Sequence, residues 1–188
     1  MSSRTRHRVA GYTLIELLIV VGVLGLAGSL LVPHLVGQDS MRVQAAVRKV
    51  IADLSFAQSD ALAHQEYRRV HFYPDGSGYC IIRVDDSNYA TVFTDIVAPD
   101  YIHDPLGAAA ELGRYIVNLP DDERFEGVSI TDVDIDGGQR DVVYDTLGGT
   151  LKGGGVPGSG GTIELTSGGD TFRITIAPFT GKLTVQRL

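Results

Sequence analysis

The chain has 188 residues, 44% of them hydrophobic, with 16 Lys and Arg against 23 Asp and Glu; that length suits one globular domain plus an appendage. Arg4, Arg6 and Arg8 precede every acidic residue, and from Tyr12 onward 13 Lys and Arg face all 23 acids, a formal −10, so the body of the protein repels phosphate backbones and nucleic acid is a poor partner. The single Cys80 excludes an internal disulfide and any two-cysteine metal or redox motif, and it reads as a buried strand thiol.

The first element in chain order is apolar. From Leu17 to Gln38 there is no Asp, Glu, Lys or Arg. As a helix at about 1.5 Å per residue this run reaches about 33 Å, close to a bilayer's hydrocarbon thickness. Three arginines ahead of it place the N-terminus in the cytoplasm and residues 39–188 across the membrane. A secretory signal peptide with a small-residue site near Gly25-Leu26-Ala27 and a plain anchor are both compatible with that pattern. Glu16, at the front of the run, distinguishes a third reading. A carboxylate there costs roughly 2.5–3.5 kcal/mol on insertion scales and asks for a partner. A cut between Gly11 and Tyr12 would create one, because the new α-amino group of Tyr12 in one molecule can pair with Glu16 of its neighbour in a helical bundle and set axial register.

The segment Gly11-Tyr12-Thr13-Leu14-Ile15-Glu16-Leu17-Leu18-Ile19-Val20-Val21 resembles the processing motif of type IV pilins and type II secretion pseudopilins. The resemblance implies cleavage after Gly11 by a prepilin peptidase, N-methylation of Tyr12, and a subunit-assembly role for Glu16, the fifth residue after the cut. Tyr12 stands where the family usually has Phe; Gly25 and Pro33 stand at family positions. Pro33 removes a backbone hydrogen bond from a helix interior, so a kink or melted stretch is expected near Gly28–Pro33.

Beyond Gln38, Val43, Ala46, Val47, Val50, Ile51, Leu54, Ala57, Ala61 and Leu62 recur at helical spacing. Arg42, Arg48, Lys49, Asp53, Gln58 and Asp60 occupy the rest of the circumference. One helix from about Tyr12 to His64 would be about 80 Å long. The organisation expected is a leader at 1–11, a transmembrane or filament-core helix at 12–36, an amphipathic second half at 37–66, and a β-rich globular domain at 67–188.

From Tyr67 the period becomes two. Val70 and Phe72 alternate with Arg69 and His71, the turn Pro74-Asp75-Gly76-Ser77-Gly78 follows, and Tyr79–Val84 returns. Further strands are expected at Tyr89–Phe93, Tyr115–Leu119, Val128–Ile135, Asp141–Tyr144, Thr162–Leu165, Phe172–Ile176 and Lys182–Gln186. Ten glycines between Gly148 and Gly169 mark turns flanking a strand. The fold class is therefore α+β: a long N-terminal helix packed on an antiparallel sheet. A helix through Ala57-Gln58-Ser59-Asp60-Ala61, a strand at Arg69–Tyr73, and two last strands joined through Thr180-Gly181 resemble the GspH/FimT group of minor pilins. That resemblance implies a minor subunit of a type II secretion pseudopilus, with sister pseudopilins or pilins as partners; the alternative is a FimT-like pilin in pilus assembly or DNA uptake.

No catalytic constellation, and hence no enzyme, is read from the chain. No Gly-x-Ser-x-Gly elbow or phosphate loop is present, and the five histidines lack zinc-ligand spacing; no cofactor is expected. Asp132, Asp134, Asp136 and Gly137 match the first half of a calcium loop, but its twelfth position is Val143. The same residues suit an amphipathic strand ending in a turn, the preferred reading.

Overall fold

The computed structural model describes residues 12–36, 38–104 and 112–188, and side chains other than those of 29–38. Its α+β architecture, a helix packed on antiparallel sheets, is consistent with a pilin fold. Helix α1 spans Leu14–Val36 and α2 spans Gln38–His64. Gly37 lies outside the described residues, and the two compact units of the chain, 1–38 and 39–188, are taken separately. α1 is helical across Gly28–Pro33, so no melted stretch occurs there.

α2 forms because its apolar residues recur every three or four positions. Val43, Ala46, Val47, Val50, Leu54, Ala57 and Ala61 are all buried; each Val or Leu in that row contributes about 1.5–3 kcal/mol on burial. Two expectations about this helix need correction. Leu62 is 55% exposed, because the stripe drifts off the sheet at the last turn. Asp53, placed on the polar face by its chemistry, is 3% exposed. It lies beneath α2, accepting hydrogen bonds from the Tyr79 hydroxyl at 2.5 Å, the Tyr115 hydroxyl at 2.9 Å and Lys49 Nζ at 2.7 Å.

Eleven strands follow among the described residues: β1 Tyr67–Phe72, β2 Gly78–Val84, β3 Asp100–Tyr101, β4 Ile116–Asn118, β5 Ser129–Ile135, β6 Asp141–Tyr144, β7 Thr150–Lys152, β8 Val156–Pro157, β9 Gly161–Ser167, β10 Asp170–Ile176 and β11 Leu183–Arg187. They make two antiparallel sheets where one was expected. The first runs β3-β2-β1-β6-β7-β8 with β4 also on β2; the second runs β11-β10-β9-β5. Both inner faces meet α2 in one core, with Val70, Phe72 and Ile81 from the first sheet and Val133, Ile163, Leu165 and Ile174 from the second. A bulge between Ile130 and Asp132 resets the alternation of β5, so that Ile130, Val133 and Ile135 all face inward. The hairpin turn before β2 needs Gly76: its φ is +75°, and a Cβ there would stand 2.4 Å from the Ile130 carbonyl oxygen.

Tyr89–Phe93 is not a strand. Asp85 opens a turn, accepting from the backbone N–H of Ser87 at 2.8 Å, and the chain folds back over the outer face of β1 and β2. There Tyr89 stacks on Tyr67 and Phe93 stacks on His71 with ring centroids 3.9 Å apart. The segment expected as a strand instead supplies a cover for Cys80, Ile82 and Val84.

This burial has a consequence at alkaline pH. Burial pushes the Cys80 thiol up from 9.0 to about 11, and burial likewise raises the Tyr79 and Tyr144 hydroxyls above the ordinary tyrosine range near 10. Between pH 9 and 11 the unfolded chain has released protons that the folded one keeps, so stability falls as pH rises through that window. The urea midpoint should decline from about pH 9, and Cys80→Ala should flatten the first part of the decline, by up to about 1.4 kcal/mol per pH unit. An unchanged midpoint up to pH 11 would contradict the burial of these groups.

Candidate processing and assembly site

The N-terminal segment is built on a helix start. Thr13 precedes α1 as its N-cap, and Glu16 is the third residue of the helix. The Glu16 backbone N–H donates to Thr13 Oγ1 at 3.3 Å, and the Thr13 N–H donates to Glu16 Oε2 at 3.4 Å. This reciprocal pair is a capping box, which satisfies two N–H groups that a helix N-terminus otherwise leaves open. The pattern Thr-x-x-Glu ahead of an apolar run is readable in sequence, yet it is hidden when Glu16 is considered only for its charge. One carboxylate oxygen is engaged by the cap, at the positive end of the helix dipole, where an anion is favoured.

The side chains that follow face outward all round: Tyr12 and Leu14 are each 82% exposed, and Ile15, Leu17, Leu18, Ile19, Val20, Val21, Val23, Leu24 and Leu26 are also exposed. A helix apolar on every side is stable in water only when something covers it. Among the described residues no helix is long and apolar enough to cross a membrane; the uncharged run continues through residues 29–38, whose side chains fall outside the description. Gly22, Gly25 and Gly28 have nothing within 4 Å of where a Cβ would stand, leaving shallow places for another helix to approach. Gly11 lies outside the described residues. Pro33 is within α1, and its bend remains a proposal.

The other sequence candidate is resolved as strand and turn. Asp132 and Asp134 project from the exposed side of β5. Asp136 turns the chain at φ 54° and accepts from the Ser159 backbone N–H at 2.5 Å. Among the described residues no group of three His, Cys, Asp or Glu is placed to hold a metal ion.

Residues 6–32 match the family model of the prokaryotic N-terminal methylation motif, the prepilin signal of type IV pilin-like proteins. This part of the chain therefore resembles the processing substrates of a prepilin peptidase, which are structural subunits that assemble with other pilin-like proteins. Comparisons with curated proteins and with solved structures find no match.

Proposed function

We propose that the chain is a minor pseudopilin of a type II secretion system, cut between Gly11 and Tyr12, N-methylated on Tyr12, and added to a short filament through α1. The observation that carries this reading is the methylation motif over residues 6–32, set directly on a helix whose side chains from Leu17 to Leu26 are apolar and exposed on all sides. Before assembly, lipid covers that helix. The protein is then a single-pass subunit of the bacterial inner membrane, N-terminus cytoplasmic and β domain periplasmic. In the filament, neighbouring helices replace the lipid, and Glu16 pairs with the neighbour's Tyr12 amine. The order of elements, a long helix followed by antiparallel sheets ending in β9, β10 and β11, favours the GspH/FimT-type group.

Charge favours secretion over DNA uptake. Arg42, Arg68, Arg69, Arg83, Arg124, Arg173 and Arg187 are all ion-paired, so few cations in this acidic domain are left to neutralise phosphates.

The processing step is tested by intact mass and N-terminal sequencing. The mature chain should begin with methylated Tyr12, and Gly11→Leu should leave uncut precursor in the membrane, since a side chain obstructs close approach by the peptidase. A mature chain beginning at Gly28 would assign the segment to an ordinary signal peptide, and normal maturation of Gly11→Leu would remove Gly11 from the site. Co-purification with sister pseudopilins, against co-purification with DNA-uptake pilins, decides between the two systems.

A further inference from the structure

The outer face of the first sheet carries a feature that filament assembly through α1 does not use. Between β1, β6 and the folded-back segment 89–94 lies a cavity of about 670 Å³, a size suited to a small organic ligand. Its floor is charged but internally balanced. Arg69, 2% exposed, donates from Nε to Asp141 Oδ1 at 2.8 Å and from Nη1 to the Thr91 carbonyl at 2.5 Å. His71 Nδ1 lies 2.7 Å from the same Asp141 oxygen. Burial alone would raise the Asp141 carboxyl, but the hydrogen bonds from His71 and Arg69 outweigh it and hold the group below the ordinary carboxylate range.

The walls are not balanced. Arg140 donates to the carbonyls of Phe72 and Tyr73, at 3.3 and 3.0 Å, and, after the hydrogen bonds from Ser77, its charge helps lower the Asp75 carboxyl. Lys152 donates only to Ser159 Oγ, at 3.2 Å. Among the described residues neither cation has a carboxylate within ion-pair distance, whereas Arg42, Lys49, Arg68, Arg69, Arg83, Arg124, Arg173 and Arg187 each do. The remaining acid of the wall, Asp136, is hydrogen-bonded to Ser159. Two cations without a direct ion pair thus line the same cavity as the rings of Tyr89 and Phe93, in a domain that is otherwise strongly acidic. A concave site of that kind focuses positive potential and selects an anion that also carries apolar surface.

We propose that this cavity is a binding site for a carboxylate borne on an apolar or aromatic body, with Arg140 and Lys152 holding the carboxylate and the Tyr89 and Phe93 rings covering the body. The ligand chemistry is shared by a free aromatic acid and by a peptide ending in an apolar residue. Its occupancy is independent of which filament system the protein serves.

The test uses the full-length chain in lipid nanodiscs, with calorimetric titration of N-acetylphenylalanine and its amide, and of the peptide Gly-Ala-Phe with a free and an amidated C-terminus. At least one acid should bind saturably at one site, with its amide about tenfold weaker or more. Binding of the peptide alone identifies a chain terminus as the source; binding of both identifies the carboxylate and ring as sufficient. Arg140→Gln and Lys152→Gln should each weaken the acid by roughly tenfold; Lys152→Gln should leave the urea midpoint within experimental error, and circular dichroism checks that Arg140→Gln, which loses its bonds to the Phe72 and Tyr73 carbonyls, stays folded. Equal affinity for acid and amide, absence of saturable binding by every probe, or unchanged affinity in both variants would each overturn the assignment.

Discussion

Asp53→Ala is expected to destabilise the folded domain by about 3–5 kcal/mol, because it strands an ammonium and two phenolic hydroxyls around a site built for an anion. The three groups that converge on Asp53, from Lys49, Tyr79 and Tyr115, are all donors. An ionised carboxylate is the side chain that accepts without offering a proton of its own. Asp53→Asn keeps one accepting oxygen but turns an amide toward another donor, so an intermediate loss of about 1–3 kcal/mol is expected. Tyr79→Phe removes one donor and leaves the carboxylate with two others, and should cost about 1–1.5 kcal/mol. Urea unfolding followed by far-UV circular dichroism gives the three values. The order Ala, Asn, Phe is the signature of an anion-centred cluster; an Asp53→Ala variant within about 1 kcal/mol of the parent would show that Lys49 and the tyrosines find water once the carboxylate is gone. The cluster ties β2 and the segment entering β4 to the middle of α2, so its loss should also loosen residues near Tyr115.

Glu16→Ala is expected to leave cleavage after Gly11 largely intact and to reduce incorporation into the filament by orders of magnitude. Two contributions are lost together. The Glu16 half of the capping box, the bond it accepts from the Thr13 N–H, is worth about 0.5–1.5 kcal/mol to the helix start. A buried pair with the neighbour's amino group is worth about 3–5 kcal/mol when one partner is deleted, less if the amine sheds its proton on burial. Glu16→Gln retains the cap, since an amide oxygen still accepts from the Thr13 N–H, and removes only the charge. Thr13→Val does the reverse, weakening the cap and keeping the carboxylate. Co-purification of each mature variant with its sister subunits separates the contributions. Assembly lost in Ala and Gln but retained in Thr13→Val assigns Glu16 to intersubunit pairing. Loss in Ala and Thr13→Val with retention in Gln assigns it to helix capping. Parental assembly in all three would reduce the N-terminal segment to a plain anchor.

Much of this could be read from the chain because the signals are local. The processing segment, Gly11 through Val21, needs only adjacent residues. The α2 stripe and eight of the strands follow from periods of 3.6 and two, which depend on neighbours a few positions away. Tyr89–Phe93 misleads for the same reason. Rings on a half-buried surface look alike whether the segment joins a sheet or lies across one, and the Asp85 turn that separates these outcomes is weak in sequence.

The sequence by itself determined the apolar N-terminal helix, the amphipathic second helix and the antiparallel class of the domain. Tertiary structure alone decided that the strands divide into two sheets, since the pairing of β1 with β6 joins residues 70 to 76 positions apart and that of the bulged β5 with β9 joins residues 26 to 37 apart. It also decided that Asp53 is buried and that Asp141 lies beside Arg69 and His71. A carboxylate's place on a helical or strand period says only that it is polar. Whether it faces water or a set of donors depends on side chains brought to it from distant strands, whose meeting no local pattern records.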